Sequence, residues 1–189
     1  MDSPLRPWYR PAVARDEAAL IRQARRGSPD AVEALVRRHW DDAHRAAFLI
    51  VQDAAAAEDI AQEAMLSAVR ALDSFDRKRP FRPWLHRIVV NRSLDWLRAS
   101  RRRPEVSSDL DAGAAPEEPD PGVSGDLAAA LASLAPDERA LVVLRHLLGY
   151  RSTELARMLD VPAATVRTRL ARAMARLRVL LDGEAKEAS

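Results

Sequence analysis

The sequence predicts an all-α protein made of two small helical domains, a helical bundle and a helix-turn-helix unit, joined by a flexible acidic linker. Three observations carry this expectation. Hydrophobic residues make up 48% of the 189 positions but aromatics only 5%, so the cores must be built from Leu, Val, Ile and Ala, which favours packed helices. Apolar residues recur at spacings of three and four through most of the chain, and no alternating strand pattern interrupts them. Residues 104–125 have no periodicity and contain four prolines and three glycines, the composition of an extended or disordered tether. The expected boundaries are a mobile N-terminal tail over 1–14, a first domain over 15–103, the linker over 104–125, a second domain over 126–182 and a C-terminal tail over 183–189.

The elements follow in order. Leu20, Ile21 and Ala24 share one face of a first helix. "GSPD" then breaks the pattern and starts a second, with Ser28 as N-cap and Pro29 at the first helical position, where its missing N–H leaves nothing unsatisfied. That helix carries Val32, Leu35 and Val36. A third is expected from about Ala54 to Phe75, with Ile60, Ala64, Ala68, Ala71, Leu72 and Phe75 on one stripe. "DSFDRKRPFRP" is a charged, proline-containing break. "WLHRIVVNRSLDWLRASRRR" is a fourth helix, apolar round much of its circumference and therefore largely buried. In the second domain the expected helices are "DLAAALASL", "PDERALVVLRHLLG" with a glycine C-cap, "STELARMLDV" and "PAATVRTRLARAMARLRVLL".

A formal charge of +2 conceals strong segregation. Residues 86–103 hold six Arg and one Asp, residues 139–178 nine Arg and two acids, and residues 104–126 seven acids and no Lys or Arg. Basic clusters of this kind point to phosphate partners.

The last two helices carry the clearest pattern. Leu155, Ala156 and Leu159 line a short helix, Val161 and Pro162 make a turn, and Val166, Leu170, Ala173 and Leu177 line a longer helix. Short helix, tight turn and long helix in apolar register is a helix-turn-helix pattern. At about 100° per residue, Thr165, Thr168, Arg169, Arg172 and Arg176 gather on the opposite face, with Arg167 at its flank. Arginine can grip guanine edges or phosphates, and threonine can meet thymine methyls, so this face is the candidate duplex reader. A solvated arginine face on a small bundle is the plain alternative.

The first domain presents two unlike surfaces. Asp59, Gln62, Glu63 and Leu66 share a face opposite the Ile60–Phe75 stripe. Acids around an exposed leucine suit a basic protein partner rather than DNA, although an ordinary solvated face has the same composition. On the fourth helix, Trp84, Arg87, Asn91, Asp95 and Arg98 recur at spacings of three and four. The preceding loop adds Arg77, Lys78, Arg79 and Arg82, and the helix ends at Arg101, Arg102 and Arg103. Charges to hold phosphates, an amide to read an edge and an aromatic to stack a base are the needs of single-stranded or locally opened DNA. Trp84, Phe81 and Trp96 equally fit a core role, as aromatics on an apolar helix usually do.

Taken together, the motifs resemble the bacterial sigma-70 factors of the extracytoplasmic-function (ECF, group 4) type, which retain only the second and fourth sigma domains. "EDIAQEAMLSAVRALDSF" is similar to the core-polymerase-binding helix, with D-x-x-Q-E at Asp59, Gln62 and Glu63. "FRPWLHRIVVNRSLDWLRASRRR" is similar to the F-x-x-W-L-x-x-I-x-x-N segment that melts and reads the −10 element. "STELARMLDVPAATVRTRLARAMARLRVLL" resembles the helix-turn-helix that reads the −35 element. The resemblance spans about residues 16–181. Departures are Ala164 for a frequent glycine, Thr168 for a frequent serine, and Met65-Leu66 where an aromatic is usual. The resemblance implies a promoter-specificity subunit whose partners are the β and β′ subunits of core RNA polymerase and promoter DNA, with an anti-sigma factor as a further candidate. It assigns Asp59, Gln62, Glu63 and Leu66 to polymerase; Arg77, Lys78, Trp84, Arg87, Asn91, Arg98, Arg101 and Arg102 to the −10 element; and Thr165, Arg167, Thr168, Arg169, Arg172 and Arg176 to the −35 element. It also gives the linker a path through polymerase, where an acidic chain could occupy a basic channel. Acidity that merely keeps the tether off its basic neighbours would look the same.

Two other classes compete. A conventional helix-turn-helix repressor or activator, binding duplex DNA without polymerase, explains the second domain but leaves the Asn91 helix without a task. An enzyme is not expected. His39, His44, His86 and His146 have no metal-ligand spacing, and the chain lacks a phosphate-binding glycine loop and an activated-nucleophile pattern. No cofactor or metal is called for. With no cysteine, no apolar signal segment and no apolar run of membrane-spanning length, the sequence predicts a soluble, cytoplasmic protein with no membrane insertion.

Overall fold

The structure is a computed structural model that describes residues 11–102 and 125–187. The expected linker lies outside the described residues except Gly125, which opens a helix; residues 1–10, Arg103 and residues 188–189 also lie outside them. All described regular structure is helical: α1 (Pro11–Ala24), α2 (Pro29–Val51), α3 (Ala54–Arg70), a 3₁₀ turn at Leu72–Ser74, α4 (Phe81–Arg102), α5 (Gly125–Ala132), α6 (Pro136–Val142), a π turn at Val143–Leu147, α7 (Ser152–Leu159) and α8 (Ala163–Glu187).

Local chemistry sets most boundaries. Gly27 takes φ +84° to end α1, a left-handed conformation that costs glycine little. The Ser28 hydroxyl then accepts from the Ala31 N–H, and Pro29 opens α2. Asp53 caps α3 in the same way, accepting from the Ala56 N–H at 2.8 Å, so an orphan donor at each N-terminus is satisfied.

Several elements differ from expectation. Helix α1 begins at Pro11, four residues inside the expected tail, and α8 runs to Glu187, into the expected C-terminal tail. Helix α3 stops at Arg70 rather than near Phe75. The 3₁₀ turn that follows still delivers Leu72 and Phe75 to the core, which is why a helical stripe could be read through it. Helix α4 starts at Phe81, because Pro83 occupies the first turn, where proline breaks no hydrogen bond.

The first module packs α2, α3 and α4 together, with α1 on α2. Its centre is alanine-rich: Ala43, Ala46, Ala47, Ala57, Ala61 and Ala64 have no exposed surface. Small side chains there allow close approach of α2 and α3, and Ile50, Leu85, Val89 and Val90 fill the remaining core. The second module packs α5, α6 and α7 on α8, with Leu131, Leu141, Leu144, Leu155, Val166 and Ala173 between them. The modules also touch, α6 and α7 lying against α4, and α6 and the π turn against α2. Among the described residues no helix is long and apolar enough to cross a membrane.

Candidate polymerase and nucleic-acid interfaces

The acidic face of α3 is fully outward. Asp59, Gln62 and Glu63 are exposed, and Leu66 among them is 54% exposed, the most open large hydrophobic side chain among the described residues of the first module. Its neighbour Met65 is buried, so only half of the Met65-Leu66 pair is offered to a partner. Gln62 Nε2 donates to Glu58 one turn back, at 3.2 Å. Glu63 is ion-paired with Arg92 of α4, whose other nitrogen donates to Ser67 Oγ at 2.6 Å. The acidic patch and α4 are therefore bridged at their shared edge.

Helix α4 presents Arg87, Asn91, Asp95 and Arg98 outward, while Leu85, His86, Val89, Val90 and Ser93 face the core. Arg101 and Arg102 are exposed at its end, and Arg77 and Lys78 are exposed on the loop before it. Arg98 is ion-paired with Asp95. Lys78 is held by its backbone, whose N–H donates to Asp76 Oδ1 at 3.0 Å, leaving the ammonium outward. Trp84 is half-buried, 4.8 Å from Phe75 and 5.4 Å from Phe81 between ring centroids. It is thus anchored in an aromatic cluster with one part of the indole open. Arg82 is not part of the open surface: its Nε donates to Asp42 Oδ2 at 2.7 Å. Burial alone would raise the Asp42 carboxyl, but the bond to Arg82 and its charge outweigh that and hold it below the usual carboxylate range.

The helix-turn-helix forms as the spacing predicts. Asp160 adopts φ 54°, and the Val161 N–H donates back to Ala156 O at 3.0 Å, which turns the chain into α8. Val166, Leu170, Ala173 and Leu177 are buried. Arg167, Thr168 and Arg172 are exposed, Thr165 and Arg169 partly so. Thr168 Oγ1 donates to Ala164 O at 3.0 Å. Arg176 differs from the other arginines of this face. Its Nη1 is 3.1 Å from Glu138 Oε2 of α6, a carboxylate 9% exposed, so it ties α8 to the module as well as edging the face.

Sequence spacing did not disclose the Arg92–Glu63 bridge, the Arg82–Asp42 pair or the Glu138 anchor, because each joins residues on different helices. The arginines themselves were visible; their carboxylate partners were scattered among other acids.

Comparison with known proteins agrees with this geometry. Residues 35–103 match Sigma-70 region 2, and residues 124–177 match Sigma-70, region 4. The ECF RNA polymerase sigma factor SigM of Mycobacterium tuberculosis is 37% identical over 179 residues, covering 92% of this chain and 91% of that protein. The ECF RNA polymerase sigma-E factor of Escherichia coli is 35% identical, covering 83% and 90%. Among solved structures, CnrH in complex with the cytosolic domain of CnrY superposes with a TM-score of 0.66 at 29% identity, covering 88% of this chain and 97% of that one. Two sigma regions in order, with full-length relatives above the identity at which kinship is secure, place the chain in the sigma-70 family, as an RNA polymerase sigma factor of the ECF class.

Proposed function

We propose that this sigma factor belongs to group 4 and divides its work among three surfaces. The Asp59, Gln62, Glu63 and Leu66 face binds core RNA polymerase, whose β and β′ subunits are the partners. The surface of Arg77, Lys78, Trp84, Arg87, Asn91, Arg98, Arg101 and Arg102 opens and reads the −10 element. The face of Thr165, Arg167, Thr168, Arg169, Arg172 and Arg176 reads the −35 element as duplex. The 104–125 segment is a flexible acidic tether between the domains over 15–103 and 126–182, and the protein works in the cytoplasm.

One observation carries the division: acid with an exposed leucine on α3 is set beside an exposed arginine and asparagine stripe on α4, within one packed module. A basic protein groove and a phosphate chain can be met side by side there without exchanging places. Reach is consistent with the two DNA assignments. A flexible chain of the linker's length spans roughly 26 Å on average and about 80 Å at full stretch. Two elements about two turns apart, each turn near 34 Å, fall within that limit. CnrH was solved in complex with the cytosolic domain of CnrY, and its likeness covers most of this chain, so a protein partner is expected here too; we take that partner to be an anti-sigma factor.

The test is selection from a promoter-DNA pool with and without core RNA polymerase at fixed physiological salt, since phosphate contacts alone vary steeply with salt. Selective binding and strand opening only with polymerase is expected. Tight selective duplex binding by the protein alone, indifferent to polymerase, would return it to the conventional repressor or activator class.

A further inference from the structure

The contact between the modules contains a buried polar cluster that neither DNA nor polymerase reading uses. At one end, Arg139 of α6, only 7% exposed, donates from Nη1 to Ile50 O at the end of α2 (2.7 Å) and from Nη2 to Ala132 O (2.8 Å). Beside it the Gln52 side chain donates to Ala128 O at 2.5 Å. At the other end, the π turn shifts the chain out of α6. Leu148 N–H donates to Val143 O at 3.0 Å and Tyr150 N–H to Leu144 O at 2.9 Å, and Gly149 takes φ +75°. Such turns are frequent at functional sites. Here the turn drives Tyr150, with no exposed surface, onto His86 of α4. The rings meet edge-on at 5.6 Å and 83°, and the Tyr150 hydroxyl lies 2.8 Å from His86 Nδ1.

His86 is sealed in this contact, and its Nε2 meets no hydrogen-bond partner among the described residues. Three charged or titratable groups act on it, and a fourth is held against Tyr150. Arg82 lies on α4, with its guanidinium 5.7 Å from the Tyr150 centroid. Asp42 and His39 lie on α2, and Arg145 of the π turn donates to Tyr150 O at 3.2 Å. A neutral imidazole fits with its proton on Nδ1, donated to the Tyr150 oxygen 2.8 Å away, so that Nε2 carries no N–H. An imidazolium does not, because its Nε2–H would be buried without an acceptor beside a guanidinium.

We propose that Tyr150 seated on His86 is a proton-sensitive latch that holds the free protein closed, with α7 packed on α4 and both DNA-reading helices in one body. Parting the modules would open His86 to water. Only the purpose of the latch rests on the promoter reading: two elements about 70 Å apart require the modules to separate. Burial first, then the charges of Arg82 and His39, against the opposing pull of Asp42, push the closed His86 down to about 3. Once open it returns toward its ordinary value of about 6.5. A depressed value in the closed form means that the closed form is fully favoured above about 6.5 and loses ground as pH falls below it. Between pH 8 and pH 5.5 the ratio of open to closed molecules should rise about tenfold.

The chain has no cysteine, so Ala55→Cys and Ala175→Cys, both at exposed positions, give a specifically spin-labelled full-length protein. Distances between the labels are measured by pulsed electron paramagnetic resonance at pH 8 and 5.5, without polymerase or DNA. Expected is one short distance at pH 8, with a longer component growing about tenfold relative to it at pH 5.5 while helicity is retained. Tyr150→Phe should raise the long component already at pH 8, and His86→Leu should abolish the pH response. An unchanged distribution in the unsubstituted latch, growth that accompanies loss of helix, or a full pH response in His86→Leu would each overturn the proposal. Failure of the promoter reading would leave these distances untouched.

Discussion

Helices α4 and α8 both present arginines to solvent, yet they are held in opposite ways. Helix α4 is a wall of the first module, packed by α2 and α3 and covered again by α6 and α7. Several of its arginines are tied to carboxylates: Arg82 to Asp42, Arg92 to Glu63 and Arg98 to Asp95. Helix α8 buries one stripe only, and among the described residues Arg167, Arg169 and Arg172 make no ion pair. An unpaired guanidinium on a rigid helix can meet duplex phosphates or guanine directly. A paired one must first exchange its carboxylate for a phosphate. On the proposed assignment, α8 would meet duplex DNA with its arginines already unpaired, whereas α4 would be conditioned by what its neighbours bind, above all by a polymerase contact at Glu63.

The largest expected effect breaks the comparison on the folding side. Leu85→Ala in α4, at a site with no exposed surface, should cost about 2–5 kcal/mol in urea unfolding. Leu170→Ala on the single buried stripe of α8, 7% exposed, should fall at the low end of that range. Equal losses would mean that α4 is no more a structural wall than α8. On the binding side the order reverses. Arg172→Ala should weaken −35 discrimination by the holoenzyme by about 1–3 kcal/mol, leaving affinity for core polymerase unchanged, as measured by competition between matched and scrambled −35 sequences. Lost polymerase affinity in that variant would refute the separation of surfaces.

A smaller effect sharpens the idea that α4 is conditioned by α3. The double variant Asp59→Asn, Glu63→Gln should lower core-polymerase affinity roughly tenfold, about 1.4 kcal/mol for two exposed charges. Because it also releases Arg92, nonspecific DNA binding by the free protein should rise slightly, with a steeper salt dependence. Unchanged polymerase affinity would remove the acidic face from the interface. Smallest is Ser28→Ala, which deletes the α2 cap bond to Ala31 and should cost about 1 kcal/mol in thermal or urea unfolding.

Much of this was legible in the sequence because it is local. Ser28-Pro29, the alanine stripes and the Leu155–Leu177 register each specify their element through neighbours three or four positions away. The arginine and acid faces could be read for the same reason. What stayed hidden depends on residues far apart in the chain. Nothing in "HLLGYRS" announces that a π turn will carry Tyr150 to His86, 64 positions earlier, and nothing in "PDERAL" says that Arg139 will cap the carbonyl of Ile50. The starts of α1 and α4 were hidden for a different reason. Proline at the first turn looks like a breaker until its N–H is seen to be one that needs no partner.

The proposed division of labour requires that α4 and α8 read different elements, and α4 only with polymerase. A photo-crosslinking amino acid placed at Asn91 in one protein and at Arg172 in another, each on a selected promoter, measures this directly. The predicted result is crosslinks from position 172 confined to the −35 element, and crosslinks from position 91 in the −10 element that appear only when core polymerase is present. Crosslinks from both positions to one element, or from position 91 to duplex DNA without polymerase, would contradict it.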